Sequence, residues 1–184
     1  MKRYIKSAIL PLSEIDWMTQ EDIAHDPNTP TGVLDELANI KEYSKYNDLS
    51  YHVCCNPNVS FDTVLRFYEE YPEDVRFAEA LAKHKDTPPD MLDDLVSTTR
   101  YGKKGTYYIN YVAKNPNTRT STLIKMFKHH PQNRTIWEVL SMRSDVPTDV
   151  ISKLLNEFHG HFDQEDDILL NIINNNDLTQ EQFE

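Results

Sequence analysis

Apolar residues recur at i, i+3 and i+4 in short stretches separated by polar breaks. The sets are Leu34, Leu37, Ala38; Val64, Phe67, Tyr68; Leu92, Leu95, Val96; Leu123, Met126, Phe127; and Ile151, Leu154, Leu155. That spacing places each set on one face of a short amphipathic helix. Asp35, Glu36, Arg66, Asp93, Asp94, Lys125 and Lys153 then fall on the opposite face, toward water. Between these stretches lie segments that are apolar around more of the helix circumference. They are Phe77, Ala78, Ala80, Leu81; Tyr108, Ile109, Tyr111, Val112; Ile136, Trp137, Val139, Leu140; and Ile168, Leu169, Ile172, Ile173. These predict a second kind of helix, set deeper between neighbours. Trp17 and Trp137 are both expected in the core. Strand signals are nearly absent: the chain has 4 glycines and no Asn-Gly or Asp-Gly hairpin dipeptide.

One phrase closes each deeper helix. It reads Ile23-Ala24-His25-Asp26-Pro27-Asn28-Thr29-Pro30 in its first copy and Val53-Cys54-Cys55-Asn56-Pro57-Asn58-Val59-Ser60 in its second. Further copies begin at Leu81, Val112, Leu140 and Ile172, and the anchors at 26, 56, 84, 115, 143 and 175 lie 28 to 32 residues apart. The sixth place is always Asn or Asp: Asn28, Asn58, Asp86, Asn117, Asp145 and Asp177. Such a side chain can cap the next helix or form an Asx turn before it. Pro27, Pro57 and Pro116 stop the preceding helix. Thr29-Pro30 and Thr87-Pro88 read as an N-cap followed by proline at the first helical position, and Thr87-Pro88-Pro89-Asp90 approaches a capping box. Ser13-Glu14-Ile15-Asp16 reads as another capping box, opening the helix that carries Trp17.

Two helices per repeat of about thirty residues predict an all-α chain, a right-handed α-solenoid of about five to six repeats. It would form one domain over 1–184, with 1–20 as an N-terminal cap, 21–175 as repeats and 176–184 as a partial repeat. The phrase Val112-Ala113-Lys114-Asn115-Pro116-Asn117-Thr118 with its leucine helix resembles the leucine-rich repeat variant family, as do the copies at Asp26 and Leu81. The resemblance runs from about residue 15 to the end. Repeats of that family are shorter, at about two dozen residues, so longer loops follow the second helix here. Some members carry an iron–sulfur cluster, but the adjacent Cys54-Cys55 lacks the spaced thiolates such a cluster needs, and no cofactor is expected. HEAT-like solenoids, including a DNA-glycosylase branch, are similar in architecture.

Composition narrows the function. The formal net charge of −11 excludes a uniformly basic nucleic-acid or membrane coat. No apolar run reaches the roughly 20 residues a membrane helix needs, and the amino terminus has too short an apolar stretch for a signal peptide. A cytoplasmic protein without disulfides is expected. The charge is unevenly spread: residues 85–143 carry 10 cations against 5 carboxylates, between acidic flanks. The candidate binding set in this basic central band is Arg100, Tyr101, Lys103, Lys104, Tyr107, Lys114, Arg119, Lys125, Lys128, His129, His130 and Arg134.

No phosphate loop, zincin helix or nucleophile elbow occurs, so no catalytic residue is assigned. No metal ligand is assigned either: His159, His161 and the carboxylates through Asp167 match no known ligand spacing and read as a solvated loop. Cys54 falls at a core position, and Cys55 reads as a partly exposed thiol. The expected function is a non-enzymatic scaffold holding a protein partner on the solenoid surface. One alternative uses Glu69, Glu70, Glu73, Asp74, Asp163, Glu165, Asp166 and Asp167 to mimic nucleic acid and block a nucleic-acid enzyme, as a bacterial or phage inhibitor would. Another is a HEAT-like nucleic-acid binder using the basic band. Self-association through an open C-terminal repeat is a further expectation.

Overall fold

A computed structural model describes residues 11–40, 49–97, 106–158 and 167–175. They are all helical: a 3-10 turn at Leu12–Glu14, then α1 (Trp17–His25), α2 (Thr31–Leu37), α3 (Leu49–Cys55), α4 (Phe61–Glu70), α5 (Val75–Lys83), α6 (Pro89–Ser97), α7 (Thr106–Lys114), α8 (Thr120–His129), α9 (Arg134–Ser141), α10 (Thr148–Phe158) and α11 (Asp167–Asn175). No strand occurs among the described residues, as the scarcity of hairpin signals predicts. No helix there is long and apolar enough to cross a membrane. The predicted partial repeat at 176–184 lies outside the described residues.

The chain packs as two compact units, divided between Thr87 and Pro88. In the first unit, α1 packs on α3 and α3 on α5, while α2 and α4 contact this row. In the second, α7 packs on α9 and α9 on α11, with α6 and α8 in contact with each other. The row helices are those that end in the repeated phrase. They are the deeper set: Phe77, Ala78, Ala80, Leu81 and Ala82 of α5 are all buried, as are Ile136, Trp137 and Leu140 of α9. The predicted stripes of the intervening helices also face inward. Leu34, Leu37, Val64, Phe67, Leu92, Leu95, Leu123, Met126, Ile151 and Leu154 are buried, whereas Tyr68 and Val96 are half-buried. Ring stacking strengthens the first core, with Phe67 and Phe77 centroids 5.3 Å apart.

Three expectations need correction. The first helix is capped by Asp16 rather than by Ser13: Asp16 accepts from the Thr19 N–H at 3.0 Å and the Thr19 hydroxyl at 2.7 Å. These bonds hold its carboxyl below the usual range. Trp17 is 58% exposed rather than core. It sits in the first turn of α1, which has nine residues against the seven of α3. Asp35 and Asp93 do not face water; both are half-buried, and each is held by the next repeat.

Candidate functional site

The repeated phrase builds the same turn in four described copies, and the residue in control is the fourth, not the sixth. Asp26, Asn56, His84 and Asn115 each accept the backbone N–H two residues on, at 2.8, 2.9, 3.2 and 2.9 Å. Each of their carbonyls also accepts the N–H three residues on, at 2.9 to 3.2 Å. This is the Asx turn predicted for the sixth place, formed two residues earlier. His84 can take the role because a ring nitrogen accepts as a carboxamide oxygen does. Nor do the threonines cap the following helix. Thr29, Thr87 and Thr118 are buried, and each hydroxyl donates back to the carbonyl six residues earlier, on Ile23, Leu81 and Val112. Those carbonyls lie in the last turns of row helices, where intrahelical donors run out. The N-cap of α2 is Pro30, with no side-chain bond.

The rest of the turn's polar inventory reaches into the preceding repeat. Asn56 Nδ2 donates to the carbonyls of Ala24 and Asp26 at 2.7 and 2.9 Å. Asn58 Nδ2 donates to those of Pro27 and Thr29 at 2.6 and 3.2 Å. His84 Nε2 lies 3.0 Å from the Val59 carbonyl oxygen, and Arg143 donates to the Thr118 carbonyl at 2.9 Å. These last two contacts join the same phrase positions in the two units. Asp35 accepts from Ser60 at 2.8 Å and Thr63 at 2.7 Å. Asp93 likewise accepts from Arg119 at 2.7 Å and from the Thr122 hydroxyl. Partial burial would raise the Asp93 pKa, but the hydrogen bonds from Thr122 and Arg119 outweigh it and hold the carboxyl low.

The exposed flank of the row in the first unit carries a chain of polar groups. Glu79 pairs with Lys83 one turn on, and Tyr51 on the neighbouring helix donates to Glu79 at 3.3 Å. Desolvation first, then the neighbouring Cys55 and Glu79, raise the Tyr51 pKa, so it stays a phenol. Cys54 is buried, as expected, and burial raises its pKa. Cys55 reaches solvent as a residue while its sulfur is largely desolvated, which holds its thiol pKa above the usual value. Neither sulfur has the lowered pKa of a nucleophilic cysteine. A cavity of about 140 Å³ lies beside Cys55, lined also by Asn56, Ala80, Lys83 and His84. At the start of the same flank, Glu21, His25 and His52 converge, although the sequence offers only the i, i+4 pair Glu21 and His25 as a signal.

The basic band resolves into paired and unpaired groups. Arg119 is taken by Asp90 at 2.6 Å and Asp93 at 2.7 Å, and these carboxylates raise its pKa. Arg134 pairs with Glu138 at 2.9 Å. His130 sits half-buried in the turn after α8, where its backbone N–H donates to the Met126 carbonyl at 2.8 Å. Lys125, Lys128 and His129 are exposed on α8, and their spacing of three and four residues gives one face. They form no ion pair among the described residues, although Lys125 helps at longer range to hold Asp93 ionised. Lys114, the exposed last residue of α7, forms none there either. Arg100, Tyr101, Lys103, Lys104 and the Tyr107 side chain lie outside the described residues, as do His159, His161, Asp163, Glu165 and Asp166. Of the described acidic flank, Glu69 and Glu70 are exposed, while Asp74 caps α5 and pairs with Arg76 at 2.7 Å. Comparison of the chain with protein-family models, with curated proteins and with solved structures finds no match.

Proposed function

We propose that the repeats stack as an α-solenoid within each unit, and that the protein is an interaction scaffold for an acidic segment of a protein partner. The resemblance to leucine-rich repeat variant and HEAT-like proteins agrees with this reading. The recurrence of one lock in both units supports the stacking. A carboxylate on one repeat, Asp35 or Asp93, accepts from the opening turn of the next, so each repeat completes its neighbour. The observation that carries the binding reading is the exposed α8 stripe of Lys125, Lys128 and His129, which form no ion pair among the described residues. Exposed cations on one rigid face attract and orient an anionic partner. A protein segment suits them better than a nucleic acid. A nucleic-acid backbone is commonly held through roughly 6–10 phosphate contacts, more than this three-residue stripe offers.

The test is partner capture with the full chain, repeated with Lys125→Glu and Lys128→Glu together. Both side chains are exposed, and circular dichroism checks that the charge reversal near Asp93 leaves the helices folded. Loss of the captured protein, and weaker capture as salt rises, is the expected result. Capture that is indifferent to both charge reversals would exclude the stripe. A low-salt gel shift abolished by the same variant would replace the protein partner with a nucleic acid.

A further inference from the structure

We propose that Glu21, His25 and His52 form a binding site for a divalent transition ion of the zinc type. Glu21 and His25 are four residues apart on α1 and so share a face, while His52 comes from α3, the next helix of the row. One donor atom from each of the three lies within 4.8 Å of the others. The His52 Nε2 to Glu21 Oε1 distance is 3.2 Å. Two donors held about 2.1 Å from a tetrahedral ion stand about 3.4 Å apart, so this edge already has the span of a coordinated pair. The two imidazole centroids are 4.2 Å apart at an interplanar angle of 50°, so the rings are tilted rather than stacked flat. His25 Nδ1 sits 3.0 Å from the Glu21 carbonyl oxygen. Donation from Nδ1 leaves the lone pair of Nε2 for an ion and steadies the ring, as outer-shell hydrogen bonds to ligating histidines do.

The register of the repeats explains why this place differs from those after it. In the third copy the positions of Glu21 and His25 are held by Glu79 and Lys83, which neutralise one another directly. In the first copy His25 stands in the lysine's place, and His52 of the next helix lies against the Glu21 carboxylate instead. Two imidazoles and one carboxylate favour zinc, copper or nickel over magnesium or calcium, which prefer all-oxygen sites. Three protein donors leave a fourth position for water or an incoming ligand.

The experiment uses the metal-depleted full chain, titrated with Zn²⁺ by calorimetry and with Co²⁺ by visible absorption. One ion per chain and the intense d–d bands of four-coordinate cobalt are expected. His25→Gln and His52→Gln should each weaken binding at least about tenfold, since even outer-shell changes cost 10–100-fold. His25 is exposed, so its variant keeps the fold even where His52→Gln perturbs packing; far-ultraviolet circular dichroism checks both. A double His159→Gln, His161→Gln variant should bind as wild type. Undetectable zinc binding overturns the proposal. So does binding that survives His25→Gln and is lost in the His159, His161 variant.

Discussion

At the scale of single residues, the fourth place of the repeated phrase decides more than the invariant sixth. Asn56 is buried, yet its side chain is satisfied on both sides. Its oxygen accepts the Asn58 N–H, and its nitrogen donates to two carbonyls of the preceding repeat. Asn56→Ala strands those partners away from water, and an unsatisfied buried group costs about 1–3 kcal/mol. A loss of about 2–3 kcal/mol is expected, read as a lower urea midpoint with unchanged slope. Asn56→Asp is the sharper probe. It keeps the turn acceptor but sets a carboxylate against two carbonyl oxygens, so at neutral pH it should destabilise at least as much as alanine. Burial against carbonyl oxygens raises the folded pKa of the new carboxyl above its unfolded value, and protonation restores one donor, so the deficit should shrink as pH falls from neutral and level off by about 4. The same reasoning explains Asp26 in the first copy, where the carboxylate accepts from the Asn28 N–H and side chain at 2.8 and 3.1 Å. This division of labour was not legible in the sequence, because Asn and Asp have the same turn chemistry at either place. Distinguishing them requires knowing where the previous repeat's carbonyls lie.

At the scale of helices, the pairing of a half-buried carboxylate with the next opening turn sets the joint. The apolar spacing that identified α2, α4, α6 and α8 was legible because helical periodicity survives any packing arrangement. The roles of Asp35 and Asp93 were not, since a charged residue off the apolar stripe reads as solvated until a neighbour is placed beside it. Asp93→Asn tests the joint between α6 and α8. It removes the charge from the bonds donated by Thr122 and Arg119, and hydrogen bonds to a charged group contribute about 1.5–3 kcal/mol. A loss of about 1–2 kcal/mol is expected at neutral pH, given Asp93's partial exposure. The sign of the pH dependence follows from its lowered pKa. A carboxyl lowered in the folded state contributes its full stability above the unfolded value, near 3.8. That contribution fades as pH drops through the lower folded value. The gap between wild type and Asp93→Asn should therefore be constant from pH 7 to about 5 and narrow below about 4. A gap that stays constant to pH 2 would mean the carboxylate charge contributes nothing to the joint.

At the scale of the whole molecule, the decisive property is that each unit has its own buried core. Phe67, Phe77 and Leu81 are buried in the first, and Leu123, Met126, Ile136 and Leu140 in the second. The helical segments marked by the phrase were legible in the sequence, since it recurs at near-constant spacing. The grouping of those repeats was not: the phrase at Leu81–Pro88 looks like the others in the sequence, yet the division falls between its Thr87 and Pro88. In repeat proteins, stability is a sum over units and the interfaces between neighbours, so a local defect spreads only as far as those interfaces carry it. Asn56→Ala lies in the first unit and removes bonds made within it. Native-state hydrogen exchange should then show faster opening for α1, α3 and α5. Amides of α8 and α9 should keep wild-type protection. Asp93→Asn should give the mirror result, with loss of protection in α6 and α8 and little change in α1 and α3. Equal acceleration across all helices in either variant would show that the two cores open as one cooperative block, and stability effects anywhere in the chain would then have to be read globally.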